Sequence, residues 1–342
     1  MKFIYLMENE ESLAPDIESI QPIKPAKMHE PPKIDRKPLE QQEPVKPFVP
    51  PRPMRPIKYI PRVEKGVRDY CKLLGLKREP FSMAPEPDFF YKSKQHRECL
   101  NRLEISLRLN RGLHVILGGI GTGKTAISRI LLDRFTDYES DYTFFLILNP
   151  TWRNNQEFLI HLKKMFDIRD ESNLVTDMMN QIEHFLIDYT AKYNKRIVMI
   201  IDEGQKMGPN QLEIVRTLLN FETNSMKLIQ FTIFAQPEFV DILNTMENFK
   251  DRIAYLYQIN NIDNEDTNGL IDHRLQIAGL SEGKEIFTEN AKDLIYKYTK
   301  GYPRKIIVTC HNLLIEMLIS GKSKVDADLV FKFTQQNDLI YE

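Results

Sequence analysis

A short apolar segment that runs directly into a glycine-rich turn constrains this chain more than any other feature. Residues 113–117 read Leu-His-Val-Ile-Leu, and residues 118–125 read Gly-Gly-Ile-Gly-Thr-Gly-Lys-Thr. This is the G-x-x-x-x-G-K-T pattern of a Walker A loop, which joins a strand to a helix. Such a loop points backbone N–H groups at phosphate oxygens, and the dipole of the following helix favours the same anion. The pattern alone leaves open a glycine-rich turn that binds nothing.

The loop residues are the predicted contacts to ATP. They are Gly118, Gly119, Ile120, Gly121, Thr122, Gly123, Lys124, Thr125 and Ala126. In this pattern the lysine supplies a charge for the β- and γ-phosphates, and the Thr125 hydroxyl is a ligand for Mg²⁺.

A second segment favours phosphate binding over the turn that binds nothing. Residues 197–203 read Ile-Val-Met-Ile-Ile-Asp-Glu, an apolar run that ends in two carboxylates. Such a run is typical of a central parallel strand that is buried on both faces. Because ligands of open α/β sheets bind at the carboxyl ends of the strands, we predict that Asp202 holds Mg²⁺ and that Glu203 orients the attacking water. The alternative is a buried strand followed by an exposed acidic turn.

Composition excludes several classes of protein. The 47 basic and 48 acidic side chains of the 342 residues nearly cancel, so no global field attracts nucleic acid. The three cysteines are widely spaced, which fits neither a disulfide framework nor a zinc site. No apolar run approaches the ~20 residues that a membrane-spanning helix needs. We therefore expect a cytoplasmic protein without a transmembrane segment.

The patterning divides the chain into three parts. Residues 1–62 are rich in proline and are predicted to form a disordered arm, either a solubilising tether or a docking arm for a partner. Residues 63–260 alternate strand and helix patterns, which predicts an α/β domain with a parallel sheet between two helical layers. Residues 261–336 are predicted to be helical. The predicted strands lie at 113–117, 142–148, 197–201, 228–234 and 254–259.

With these motifs in place, the sequence resembles the ExeA/GspA family of AAA+ ATPases over about residues 70–320. The resemblance implies a three-layer αβα sandwich with a five-stranded parallel sheet and a small all-helical lid. At 235–239 the family usually has Gly-Gln-Pro-Glu-Leu where this chain has Ala-Gln-Pro-Glu-Phe. The other matching segments include Leu-Gly-Leu-Lys-Arg-Glu-Pro-Phe-Ser at 74–82, Pro-Asp-Phe-Phe-Tyr-Lys-Ser-Lys-Gln-His at 87–96, Ile-Asp-Glu-Gly-Gln at 201–205 and Gly-Tyr-Pro-Arg at 301–304.

The resemblance also implies roles for single residues. Gln236 would be the sensor 1 group at the γ-phosphate, or else a turn residue before a proline. Arg304 would be sensor 2, reaching the γ-phosphate from the lid. Arg252 would be an arginine finger for a neighbouring subunit, with Arg274 as a weaker rival and a solvated or salt-bridged arginine as the alternative. Gln205 would relay between Glu203 and a partner, or be an ordinary surface residue.

Partners are the least constrained part of the interpretation. The resemblance implies a homo-oligomer, a ring or filament promoted by ATP, that acts as a motor or assembly factor in secretion or pilus machinery. The alternatives are a DNA-bound regulator similar to the TniB/TnsC transposition ATPases and a nucleotide-dependent scaffold with little turnover. Residues 89–91 would lie near the adenine, and Trp152 would face a central pore or a bound strand. For both, packing in the hydrophobic core is the alternative.

Overall fold

Five parallel strands form a single twisted sheet at the centre of the fold. The computed structural model describes residues 70–83, 86–135, 141–169, 172–224 and 226–337, and the predicted arm at 1–62 lies outside these ranges. The strands pair in the order β2-β3-β4-β1-β5, and all neighbours are parallel. Their bounds are β1 Leu113–Gly118, β2 Tyr142–Ile147, β3 Arg196–Ile201, β4 Ile229–Ala235 and β5 Ile253–Ile259.

Helices cover both faces of the sheet because alternate strand residues point to opposite sides. On one face Ile116 and Ile200 pack with α2 and α3, and on the other Val115 and Met199 pack with α4, α5 and α6. This confirms the predicted αβα sandwich. The helices up to β5 are α1 Tyr70–Leu74, α2 Lys94–Arg108, α3 Lys124–Arg134, α4 Asn155–Met165, α5 Val175–Tyr193, α6 Pro209–Leu218, α7 Phe239–Asn244 and α8 Glu247–Lys250.

The chain after β5 is helical, as predicted. Asp263 starts the first of these helices, because its side chain accepts a hydrogen bond from the Asp266 N–H at 2.7 Å. Among the described residues, no helix is both long enough and apolar enough to cross a membrane. The helices are α9 Asn264–Ile277, α10 Glu289–Thr299, α11 Pro303–Ile319 and α12 Ala327–Asn337.

The four helices after β5 have a hydrophobic core of their own. Residues that precede α2 also belong to this core. Tyr70, Phe81 and Phe89 pack in one cluster with residues of the C-terminal helices, such as Ile271 and Leu313. The boundaries at 63–260 and 261–336 remain a prediction, but the packing assigns residues 70–83 and 86–89 to the helical unit. The polypeptide therefore leaves the lid core, forms the sheet and returns to the lid.

Candidate nucleotide-binding site

The order of the strands brings the predicted motifs to one edge of the sheet. β4 lies between β1 and β3, and the three strands run in the same direction. The Walker A loop follows β1, Asp202 and Glu203 follow β3, and Gln236 follows β4. Parallel strands end at a common edge, so residues more than a hundred positions apart become neighbours there.

The Walker A loop has the backbone that its glycines permit. Gly121 and Gly123 have φ angles of +77° and +98°, in the left-handed region that side chains disfavour. A Cβ at Gly121 would lie 2.5 Å from Cβ of Arg304, so the lid arginine packs directly on the loop. Lys124 is the first residue of α3, and the loop thus leads into a helix N-terminus.

Lys124 is held inside the loop rather than in solvent. Its Nζ donates hydrogen bonds to the Gly118 carbonyl at 2.6 Å and to the Gly119 carbonyl at 2.9 Å. Burial lowers the pKa of the ammonium from its usual value, and the nearby Asp202 carboxylate acts in the opposite direction. The charge is thus placed under the loop, where it faces the cavity.

Asp202 joins the two motifs directly. Its Oδ2 accepts a hydrogen bond from the Thr125 hydroxyl at 2.6 Å, and its Oδ1 accepts one from the Glu203 N–H at 2.9 Å. The side chain is almost fully buried, so its direction is fixed. The carboxylate and the hydroxyl are therefore preset as a pair of oxygen atoms at the floor of the site.

This pair of oxygens fits Mg²⁺. Magnesium prefers oxygen ligands and is usually held by one or two protein side chains, with phosphates and water completing the shell. Within the described ranges, no cluster of three or more His, Cys, Asp or Glu side chains is arranged to hold a metal. Asp202 and Thr125 would supply two of the oxygen ligands in such a shell.

Glu203 is held in an unusual backbone conformation beside Asp202. Its φ of +55° is rare for a residue with a side chain. The next residue, Gly204, packs against β4 so closely that a Cβ there would lie 2.3 Å from Cγ2 of Ile233. Gln205 follows, and its Nε2 donates a hydrogen bond to the Glu203 carboxylate at 2.7 Å. Its Oε1 accepts one from the Gln236 N–H at 3.0 Å.

A cavity of about 460 Å³ unites these groups. It lies between the loop, the lid and the segment that precedes α2. Of the predicted site residues it is lined by Ile120, Gly121, Thr122, Gly123, Lys124, Thr125, Ala126, Glu203, Gln236 and Arg304. Gly118 and Gly119 contribute the carbonyls that bind Lys124, and Asp202 lies beneath Thr125.

His96 supports the loop from behind, and the sequence analysis did not single it out. Its Nε2 donates a hydrogen bond to the Thr122 carbonyl at 2.8 Å, which leaves Nδ1 to accept one from the Ser93 hydroxyl at 2.9 Å. Burial lowers the pKa of the ring and keeps it neutral. The one feature of the sequence that could have pointed to His96 was its place in the segment 87–96, which matches the family. A single histidine in a helical pattern has no spacing that marks it as functional.

The aromatic residues 89–91 line the cavity and also pack in the hydrophobic cores, and their place near an adenine stays a prediction. The guanidinium groups of Arg78 and Arg274 lie over the ring of Phe89, at 4.6 and 5.4 Å from its centre. Arg274 also donates hydrogen bonds to the carbonyls of Phe89 and Ser82, at 3.2 and 3.3 Å. Burial lowers the pKa of Arg274 to about 10. Arg274 thus binds its own chain and lines the cavity, and the choice of finger stays a prediction.

Two other candidate residues lie away from the cavity. Arg252 immediately precedes β5, whose first residue pairs with Leu113 at the start of β1, so it lies at the opposite edge of the sheet. There it borders a shallow depression with Arg216 and Asp251. Trp152 packs on Phe158, with ring centres 4.3 Å apart, and belongs to the edge of the main core. This contact agrees with the core-packing interpretation, and contact with a pore or bound strand stays a prediction.

Comparisons with known proteins agree with this geometry. The family model of an AAA domain matches residues 107–243, from the end of α2 to α7. General secretion pathway protein A of Aeromonas hydrophila is 32% identical over 263 residues, which is 75% of this chain. The chain is a homologue of that protein in its AAA+ region. The chain spans about half of the relative, 46% of its length.

More distant comparisons support the same fold. The ORC2 protein of Aeropyrum pernix, solved with ADPNP and ADP, superposes with a TM-score of 0.56 at 16% identity and covers 76% of this chain and 72% of its own. An uncharacterised HTH-type transcriptional regulator of Methanocaldococcus jannaschii is 21% identical over 313 residues, 81% of this chain and 76% of that protein. The AAA+ fold is thus shared with nucleotide-bound ORC proteins.

Proposed function

We propose that this chain binds ATP with Mg²⁺ and hydrolyses it to ADP and phosphate. The observation that carries the proposal is the 2.6 Å hydrogen bond between Thr125 and Asp202, on the floor of a cavity that Lys124, Glu203, Gln236 and Arg304 share. Water attacks the γ-phosphorus, the bond to the ADP oxygen breaks, and Glu203 accepts the proton of the water. Bound Mg²⁺ would neutralise charge on the β- and γ-phosphates.

The remaining side chains act on the developing charge. Lys124 meets the β- and γ-phosphates, the Gln236 amide contacts the γ-phosphate or the water, and Arg304 contacts the γ-phosphate from the lid. Because Arg304 packs on Gly121, a change in lid angle moves this charge relative to the loop. We infer that the nucleotide state is coupled to the lid in this way.

Two variants test the assignment. Lys124→Ala removes the charge at the β- and γ-phosphates and should abolish ATP binding in calorimetry, whereas Lys297→Ala, an exposed lysine on α10, should bind normally. Glu203→Gln keeps the shape of the side chain and should bind ATP but lose turnover by about 10²–10⁴, the usual contribution of a general base. Exposed Glu316→Gln is its control. Normal turnover in Glu203→Gln would refute the catalytic role.

We further propose that the site is completed in an oligomer. Arg252 lies at the opposite edge of the sheet from the cavity of its own subunit, so in this proposal it serves the nucleotide of a neighbouring subunit. Arg252→Ala should then bind ATP and lose turnover, since a trans finger contributes on the order of 10³–10⁵. Mixing it with Lys124→Ala subunits should restore activity, because the latter lend Arg252 to an intact site. A rate per subunit that is independent of concentration would refute the assembly.

The homology to general secretion pathway protein A supports a motor or assembly factor that acts on proteins of secretion or pilus machinery. A second candidate is a DNA-bound regulator, supported by the similarity to an HTH-type transcriptional regulator. Turnover measured with and without duplex DNA, over a range of salt concentrations, separates the two. Stimulation by DNA that disappears as salt rises would favour the regulator.

A further inference from the structure

Gln205 stands behind the cavity wall and touches both groups that the proposed reaction needs at the γ-phosphate. Its side chain is half-buried and does not line the cavity itself. Nε2 donates to the Glu203 carboxylate at 2.7 Å, and Oε1 accepts from the Gln236 N–H at 3.0 Å. One amide therefore joins the end of β3 to the end of β4.

The chemistry of these partners explains why the residue is a glutamine. A carboxylate only accepts hydrogen bonds, and a backbone N–H only donates, so the bridging group must donate at one end and accept at the other. A glutamine amide does both, whereas a glutamate at this position could only accept and a lysine could only donate. The two partners also fix which way the amide is turned.

The local backbone places the Gln205 side chain between its two partners. Glu203 has a φ of +55°, and Gly204 allows the turn to approach β4 to a distance that a Cβ would not permit. Glu203 lines the cavity while it is hydrogen-bonded to Gln205. The contact therefore holds the carboxylate toward the site and does not withdraw it.

We propose that Gln205 is a positioning residue for ATP hydrolysis: it orients the Glu203 carboxylate and ties it to the backbone of Gln236. The inference rests on the proposed function and deepens it. Gln205 touches no substrate, so nucleotide affinity is independent of it and turnover is not.

Three variants separate the two hydrogen bonds. Gln205→Met keeps the length of the side chain and removes both bonds, and Gln205→Glu keeps the acceptor for Gln236 but removes the donor to Glu203. Gln276→Ala, an exposed glutamine on α9, is the matched control. We expect Gln205→Met to lower kcat by about 10-fold or more, a part of the ~10²–10⁴ that a positioned base supplies. The Kd for a fluorescent ATP analogue should change by less than about twofold, well below the tenfold change expected for kcat.

The glutamate variant gives a result that a structural role would not. It keeps the bond to the Gln236 N–H but puts a like charge in place of the donor to Glu203. The value of kcat should therefore fall at least as far as in Gln205→Met, even though the link between the two strand ends is retained. Full activity in Gln205→Glu would show that only the bond to Gln236 matters and would overturn the proposal.

The remaining outcomes of these experiments also test the proposal. Unchanged or raised kcat in Gln205→Met, with wild-type turnover intact, would overturn the inference and leave the proposed function standing. A wild-type chain that binds ATP without any turnover would overturn both. Loss of ATP binding in Gln205→Met together with a lowered melting temperature would mark the residue as structural and would refute the positioning role.

Discussion

His114 gives the stability of this protein a dependence on pH that can be worked out from its surroundings. The side chain is fully buried on β1, the strand that leads into the Walker A loop. Its Nδ1 donates to the Phe231 carbonyl on β4 at 3.1 Å, so its Nε2 accepts from the Ser106 hydroxyl on α2 at 2.8 Å. The bond from Ser106 needs a neutral ring with a free lone pair on Nε2, and burial lowers the pKa of His114 to about 4.

The sign and the size of the effect follow from linkage. Above pH 6.5, the ordinary value, the ring is neutral in both the folded and the unfolded chain and stability does not change. Between pH 6.5 and about 4 mainly the unfolded chain takes up the proton, so the free energy of unfolding decreases as the pH is lowered. At about 1.4 kcal/mol per unit, the loss across this window is on the order of 3 kcal/mol.

The assay compares the wild type with His114→Asn, whose amide can still donate to the Phe231 carbonyl. Near pH 5.2, unfolding in urea should take up about 0.9 proton more in the wild type, from the same two pKa values. The urea midpoint of the wild type should also fall more steeply with pH than that of the variant. All other titrating groups are shared, so the difference isolates His114. Equal proton uptake would refute the reasoning.

Three further predictions concern the cavity. His96→Ala leaves a buried carbonyl of the loop without its donor and should weaken binding of a fluorescent nucleotide about tenfold, with His96→Gln recovering part. Gly121→Ala should weaken binding at least as much because its Cβ meets Arg304, whereas Gly283→Ala, with a similar φ and open space, should not; equal losses would contradict this. Arg274→Met removes charged hydrogen bonds that join the lid to the preceding segment and should lower the melting temperature by several degrees, an effect that exposed Arg169→Met should not reproduce.

The parts of this protein that could be predicted from the sequence are those fixed by short-range chemistry. The Walker A pattern needs glycines at set spacings, and the run that ends at Asp202 is apolar because both faces of β3 are covered. The alternation of strand and helix patterns also implied a parallel sheet. Each of these features is visible in residues that are close together in the chain, so the sequence pattern is enough to predict it.

Other features depend on contacts between segments far apart in the chain. No local pattern places β4 between β1 and β3, and that order is what brings Gln236 within hydrogen-bonding distance of Gln205. Arg274 became a buried link to Phe89, 185 positions earlier, because Phe81 and Phe89 pack in the lid core. The sequence alone left Arg274 and Arg252 as alternatives, since only folding shows which guanidinium finds acceptors in its own chain.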